Sequence, residues 1–458
     1  MLMSNRSKRL NLANWLVWGG WMAVCSAQTL PDEVETEDYS AKYQVTYNLQ
    51  RHGPFSSPYS AVNSLTAAED RMFTLSATAH WGFRPWQDGE IYFNPEVVEG
   101  VPFTGSLIGM AGYTNGEITR AAGVSPQYYR QRLFLRQTWN NGGGREVVES
   151  DFNQMAGMVD KNRWVLTVGN FSILDVFDDN AYAKDPRTQF MNWGNWTYAA
   201  YDYAADARGF GWGATLEWYF DNWALRAGRM TAPIAPNLLP VDMALGRHYG
   251  DQVEVERAHT LLGQPGKVRL LAWRDHAVMA SFSDATQWLE QQRALNPSYQ
   301  PTGPDALLAV RDGVKTKFGL GLNVEQAINS DVGYFLRLMR TDGRTETLAF
   351  TEADGSLSTG LVFKGGLWQR PDDAVGVAWM RTTLSSDRQN FLKNGGISFF
   401  IGDGSLNYAP EQVLECFYSL QMTKGLWLTA DYQRMRNPAY NADRGPVNVY
   451  AARVHAEF

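Results

Sequence analysis

Val447-Asn-Val-Tyr-Ala-Ala-Arg-Val-His-Ala-Glu-Phe458 is the stretch on which the fold turns. Counted back in twos, Phe458, Ala456, Val454, Ala452 and Tyr450 share one face, and Glu457, His455 and Arg453 share the other. A period of two belongs to a β-strand, whose successive side chains point to opposite faces. One face is apolar with an aromatic at each end, and the other is polar and charged. Two architectures use such a strand. In a soluble sandwich the polar face meets bulk water. In an outer-membrane barrel it lines a lumen, and the apolar face meets lipid between aromatic girdles. The strand alone leaves both open.

The same facial pattern recurs upstream. Trp212, Ala214, Leu216, Trp218 and Phe220 oppose Gly213, Thr215, Glu217 and Tyr219. Leu426, Leu428, Ala430 and Tyr432 oppose Trp427, Thr429, Asp431 and Gln433. Strands are expected over 43–50, 72–82, 89–99, 128–139, 163–172, 209–220, 222–230, 252–262, 267–275, 315–328, 332–341, 357–367, 374–384, 411–422, 426–436 and 447–458. The connections between them alternate. Short ones (Gln87-Asp88, Asp221-Asn222, Gly263-Gln-Pro-Gly266, Asn329-Ser-Asp331, Gln369-Arg-Pro-Asp372, Thr423-Lys-Gly425) are separated by long ones such as 51–71, 100–127, 173–208, 231–251, 276–314 and 385–410. The link over 140–162, with Gly142-Gly143-Gly144, breaks the rule: its place calls for a short turn. Tight turns at one rim and long loops at the other are the pattern of an outer-membrane barrel. The expected fold class is therefore all-β: a transmembrane antiparallel β-barrel of about sixteen strands, with short periplasmic turns and long extracellular loops, some folded into the lumen. Closure removes sheet edges and satisfies every backbone group in lipid. About sixteen strands leaves a water-filled lumen.

Composition agrees. Aromatic residues are 13% of the 458, a level suited to interface belts and to sugar-binding surfaces. Mean hydropathy is −0.35, and no run after the N-terminus approaches the length of a membrane helix. Arg6, Lys8 and Arg9 precede an apolar run from Leu10 to Val24, and Cys25-Ser-Ala27 supplies small residues. This reads as a cleaved signal peptide over 1–27; an N-terminal membrane anchor is the alternative. Residues 28–42 are expected to be an acidic periplasmic tail, and 43–458 the barrel. Cleavage takes the formal charge from −7 to about −10, which disfavours nucleic acid as a partner, and leaves only Cys416, so no intramolecular disulfide is expected.

No Gly-x-Ser-x-Gly elbow, Walker loop or metal-spaced His or Cys set occurs, so no cofactor, metal or catalytic residue is expected. A barrel enzyme remains a distinct alternative, since some outer-membrane hydrolases are barrels. The lumen is the better place to look. Arg130, Arg132 and Arg136 share a parity opposite Leu133, Leu135 and Trp139. An arginine facing lipid at the midplane costs about 2–4 kcal/mol, so all three are expected to point inward. Arg226, between Leu225 and Ala227, is expected to do the same, with Glu254 and Glu256 supplying the opposite charge. Two readings stand side by side: the ions brace the wall by pairing, or they form a constriction that orients water and offers planar donors to hydroxyls.

The loop 173–208 points to sugar. It carries Asp178, Asp179, Arg187, Trp193 and Trp196 among other acids, amides and tyrosines. Charged and amide groups suit a sugar's hydroxyl edge, and flat rings suit its C–H face. The alternative is a loop whose aromatics form its own core. Loop 100–127 is small and flexible enough to fold inward.

Several motifs carry a family resemblance. Gly169-Asn-Phe-Ser-Ile-Leu-Asp-Val-Phe-Asp-Asp-Asn-Ala-Tyr-Ala-Lys-Asp-Pro-Arg-Thr-Gln-Phe-Met-Asn-Trp193 resembles the central motif of the carbohydrate-selective porins of the OprB type. So do Tyr203-Ala-Ala-Asp-Ala-Arg-Gly209, Trp223-Ala-Leu-Arg-Ala-Gly-Arg229, Asp431-Tyr-Gln433 and Asn437-Pro-Ala-Tyr-Asn-Ala-Asp-Arg-Gly-Pro446. The resemblance runs from about Phe73 to Phe458. It implies a sixteen-stranded barrel admitting monosaccharides such as glucose by facilitated diffusion, with inward loops and an Arg-bearing constriction. A general or anion-leaning porin is the alternative. The implied partners are small sugars, outer-membrane lipid and the barrel-assembly machinery, for which Phe458 is the expected signal; a monomer and a homotrimer are both compatible with the sequence.

Overall fold

The computed structural model describes residues 35–121, 123–349 and 351–458. The expected signal peptide and the start of the expected tail lie outside them. Sixteen strands close into one antiparallel barrel. They are β1 (Tyr39–His52), β2 (Asp70–Trp86), β3 (Gly89–Val101), β4 (Gly123–Asn140), β7 (Arg163–Phe171), β8 (Gly211–Phe220), β9 (Trp223–Thr231), β10 (Tyr249–Leu261), β11 (Gln264–Val278), β12 (Val314–Ala327), β13 (Val332–Thr341), β14 (Gly355–Lys364), β15 (Ala374–Thr383), β16 (Glu411–Thr423), β17 (Leu426–Arg436) and β18 (Val447–Glu457). Each falls on an expected strand. The first starts earlier than expected, so residues 39–42 belong to the wall rather than to a tail. The irregular link is a two-stranded hairpin, β5 (Arg145–Val148) with β6 (Gly157–Asp160), outside the barrel sheet.

The wall is inside-out relative to a soluble protein. On β1, Gln44, Thr46, Asn48, Gln50 and His52 are buried, while Tyr43, Tyr47 and Leu49 are exposed. On β18, Arg453 and His455 are buried, while Tyr450, Val454 and, just past the strand, Phe458 are exposed. Outward apolar and inward polar rows suit hydrocarbon outside and water or polar filling inside. Aromatics cluster outward near the short-turn rim, where Trp164 and Trp218 stack at 5.1 Å. The ring closes between β1 and β18, from Gln44 opposite Glu457 to His52 opposite Val449. Beyond the last strand, Phe458 N–H donates to Tyr43 C=O at 3.0 Å and Tyr43 N–H returns the bond at 2.7 Å.

At the long-loop rim, three helical pieces cap one side: α2 (Phe282–Leu295), α3 (Asp305–Ala309) and α4 (Ser386–Lys393). They form a small core of their own around Phe282, Leu289, Leu307 and Phe391. A single helical turn, α1 (Trp193–Trp196), lies inside the lumen on the β7–β8 loop.

Candidate functional site: an infolded loop across the lumen

The β7–β8 loop, residues 172–210, turns into the barrel and is pinned to strands on every side. Its opening is shaped locally. Asp175 Oδ2 accepts from Ser172 N–H at 3.0 Å, and Asp178 takes a left-handed φ of 54°. That twist sends the Asp178 carboxylate into the wall. There Oδ1 accepts from Arg337 Nε on β13 at 2.8 Å and from Asn323 Nδ2 on β12 at 2.6 Å. Asp178 N–H donates to Glu254 on β10 at 3.0 Å. Farther along, Glu415 on β16 accepts from the Met191 and Asn192 amides and from Asn195 Nδ2. Asp202 meets Lys317 on β12 at 2.7 Å, and Arg453 on β18 donates to the Pro186 and Gln189 carbonyls. Asp178 and Asp202 each face a buried cation, and Glu415 and Arg453 are held by hydrogen bonds to the loop, which offsets the cost of burying them.

The β3–β4 loop folds in beside it, as its small residues suggest. Asn115 Nδ2 donates to Thr74 on β2, and Thr114 Oγ1 donates to Gln50 on β1. The two loops meet through Arg187. Its Nε donates to Glu117 at 2.6 Å and its Nη2 to Glu96 on β3 at 2.9 Å.

Below the infolded loop lies a polar cavity of about 920 Å³, open toward the short-turn rim. Asp175, Val176 and Asp179 reach it from the loop; Arg136, Glu217, Tyr219 and Arg226 reach it from the wall. Arg226 bridges Glu217 at 3.0 Å, Glu254 at 2.9 Å and Glu256 at 3.2 Å. Arg136 meets Glu90 at 3.4 Å and donates to the Asn153 carbonyl at 2.9 Å. Arg132 holds Asp175 in a two-point bond, Nε at 2.7 Å and Nη2 at 2.6 Å, the fork geometry of arginine on carboxylate. Asp179 is the most open acid of the group. Its side chain is 55% exposed, with Arg269 at 3.6 Å and Lys184 at 4.0 Å. Lys184 Nζ also donates to the Leu174, Phe177 and Asp178 carbonyls, which fixes the ammonium at the loop's edge.

The structure thus gathers Arg132, Arg136, Arg226, Glu254, Glu256, Asp178, Asp179 and Arg187 inside the barrel. Arg130 is a correction. Asn94 pairs with Arg132, but the next residue, Pro95, pairs with Arg130. Gln131 is therefore an extra residue, a bulge that flips parity along β4. Arg130 is exposed on the outward face, 5.0 Å over the Trp212 ring. Trp193 and Trp196 are a second correction. Both are buried at 3% and 6% exposure in a core with Tyr198, Tyr201 and Tyr203, so no ring face is offered to a solute. Asp178 and Glu254 are fully buried and serve as anchors. Nor does Arg453 line the pore mouth, since it lies sealed under the loop.

Arg269, Arg337, Glu96 and Glu117 were not singled out from sequence. Arg269 lies between Val268 and Leu270, and Arg337 between Leu336 and Leu338, the same alternation that marks Arg226. Glu96 and Glu117 carry no comparable local signal.

Residues 64–458 match the model of the carbohydrate-selective porin, OprB family. The chain belongs to that family. Among solved structures this porin is similar to Pseudomonas putida OprB, with a TM-score of 0.67 and 13% identity over 92% of this chain and 94% of that one. At that identity the likeness speaks to the fold. The Acinetobacter baumannii channel DcaP (TM-score 0.47, 10% identity, 92% of this chain and 97% of that one) is a more distant match. So is Pseudomonas aeruginosa OccK2 (OpdF) in complex with glucuronate (TM-score 0.44, 8% identity, 92% and 98%). No curated protein matches the porin's sequence. Family and barrel together make this an outer-membrane porin for carbohydrate and point to a channel.

Proposed function

We propose that this porin passes small neutral sugars, glucose and similar monosaccharides, by facilitated diffusion through a constriction set by the infolded loop. The observation that carries the reading is the pair of loop carboxylates that line the polar cavity beside wall guanidinium groups, Asp175 bonded to Arg132 and Asp179 at 3.6 Å from Arg269. A sugar hydroxyl both donates and accepts. Rows of acceptors and donors can exchange bonds with it in turn, each at a net gain of about 0.5–1.5 kcal/mol. Such contacts are strong enough to admit a solute and weak enough to release it. A small ion gains less, because the site's charges are already matched.

That matching also weighs against an anion-leaning channel. Arg132, Arg187, Arg226 and Arg269 each rest on at least one carboxylate, so little uncompensated positive field is left. The test is swelling of proteoliposomes in glucose against an amino acid of equal size. Faster entry of glucose supports the reading; equal rates would leave a general diffusion porin.

A further inference from the structure

The link over 140–162 is the longest connection at the short-turn rim among the described residues, far longer than closure of β4 onto β7 requires. Paired strands elsewhere at that rim are joined by turns as tight as Asp221-Asn222. Here β5 and β6 form a hairpin that does not hang free. Its far end, residues 150–156, lies against inward-facing side chains of four consecutive barrel strands. Lys42 on β1 donates to Ser150 Oγ at 2.6 Å. The Phe152 ring sits 4.4 Å from His80 on β2. Met155 is buried, and its N–H donates to the Tyr92 hydroxyl on β3 at 3.1 Å. Arg136 on β4 donates to the Asn153 carbonyl at 2.9 Å.

The chain preceding β1 grips the same end. Glu37 N–H donates to Ala156 C=O at 3.1 Å, and its carboxylate accepts from Ala156 N–H at 2.8 Å and from Ser150 Oγ at 2.7 Å. Arg84 on β2 completes the clasp, donating to the Glu37 carbonyl at 2.6 Å and pairing with Glu90 at 2.9 Å. Gln154, Met155, Gly157 and Met158 line the cavity opposite Asp175 and Asp179.

We propose that this hairpin is a second selectivity element: a fixed floor across part of the short-turn mouth that sets the largest solute the channel passes. It rests on the channel reading but not on sugar preference. The infolded loop selects by hydrogen bonding; the hairpin selects by size. A solute leaving the loop must turn past Gln154 through the space the hairpin leaves, which penalises a disaccharide or trisaccharide more than a monosaccharide.

Two variants of the full chain test this in proteoliposomes, with glucose, a disaccharide and a trisaccharide as probes. Arg145 pairs with Asp160, so residues 146–159 can be replaced by an Asn-Gly turn that joins the two in register. That variant is expected to raise the disaccharide and trisaccharide rates several-fold relative to glucose. Gln154→Trp adds bulk on the cavity side of the hairpin and is expected to lower the same ratio several-fold. The substitution is confined to the hairpin, so it remains informative if the shortened variant does not assemble. A folded, heat-modifiable variant of either kind with the parent's size dependence overturns the proposal. Equal entry of glucose and the amino acid in the parent, together with a shifted size ratio in the variants, would sink the sugar reading alone.

Discussion

Arg337 on β13 donates through Nε to Asp178 Oδ1 on the infolded loop at 2.8 Å, and both side chains are sealed from solvent. The same guanidinium reaches the Asn195 carbonyl at 3.0 Å and the Asp178 carbonyl at 3.3 Å. One wall residue thus fixes the start of the loop and its helical turn. Removing the carboxylate strands a buried cation, which costs about 3–5 kcal/mol. Asp178→Ala is expected to lower the temperature at which the barrel unfolds on a heat-modifiability gel and to raise single-channel conductance as the loop loosens. Parent-like conductance would mean that the loop does not narrow the channel.

The bulge at Gln131 separates two arginines that the sequence places together. Arg132→Ala frees the Asp175 carboxylate toward the cavity, so reversal potentials in a salt gradient should move toward cation preference. Arg130→Ala, on the outward face, should leave reversal potential and sugar block unchanged. The opposite ranking would refute the parity assigned to β4.

Gly333 on β13 lies under the Tyr182 ring of the infolded loop; a Cβ there would stand 1.7 Å from Tyr182 Cε1. Gly333→Ala should therefore lift the loop or the ring, at about 1–3 kcal/mol. Pairing it with Tyr182→Ala should restore part of the loss in the same melting assay. A neutral single substitution would show that the contact is not rigid.

Phe458 contributes two backbone bonds to the closing seam and stacks on Tyr43 at 6.1 Å. Deleting it is expected to reduce the heat-modifiable fraction recovered in outer membranes, whereas Phe458→Tyr keeps the ring and should assemble normally. Full recovery of the deletion would remove the terminal aromatic from any role in assembly.

At the long-loop rim, Tyr59 donates to Asp403 at 3.0 Å and accepts from Asn441 at 2.6 Å. Burial, with the Asp403 charge second, pushes its phenol up to about 12. A raised value means that the clasp is intact below the ordinary phenol value near 10 and fades as pH climbs toward 12. Protease nicking of the loops around Tyr59 and Asp403 should stay absent through neutral pH and appear in that alkaline window. Tyr59→Phe removes the proton and should remove the pH dependence; a variant that still titrates there would assign the change elsewhere.

Period-two alternation and the spacing of turns were enough to place sixteen strands, because a lipid-facing row must be apolar and the row behind it need not be. Val447–Phe458 reads correctly down to the direction of Arg453 and His455. The same local rule failed at Arg130, where one inserted residue, Gln131, sets it on the opposite parity from Arg132 and Arg136 without leaving a mark in composition. It also could not say which charges stay open. Asp178 and Asp179 are neighbours in sequence, yet one is buried under Arg337 and the other faces the cavity. That difference follows from a left-handed residue and from partners up to 159 positions away. Trp193 and Trp196 look like sugar platforms and are core, since a loop crossing a lumen must bury its own apolar surface to stay folded. Fold and inward rows were fixed by local chemistry; loop docking and the surviving open charges were decided only when distant strands came together.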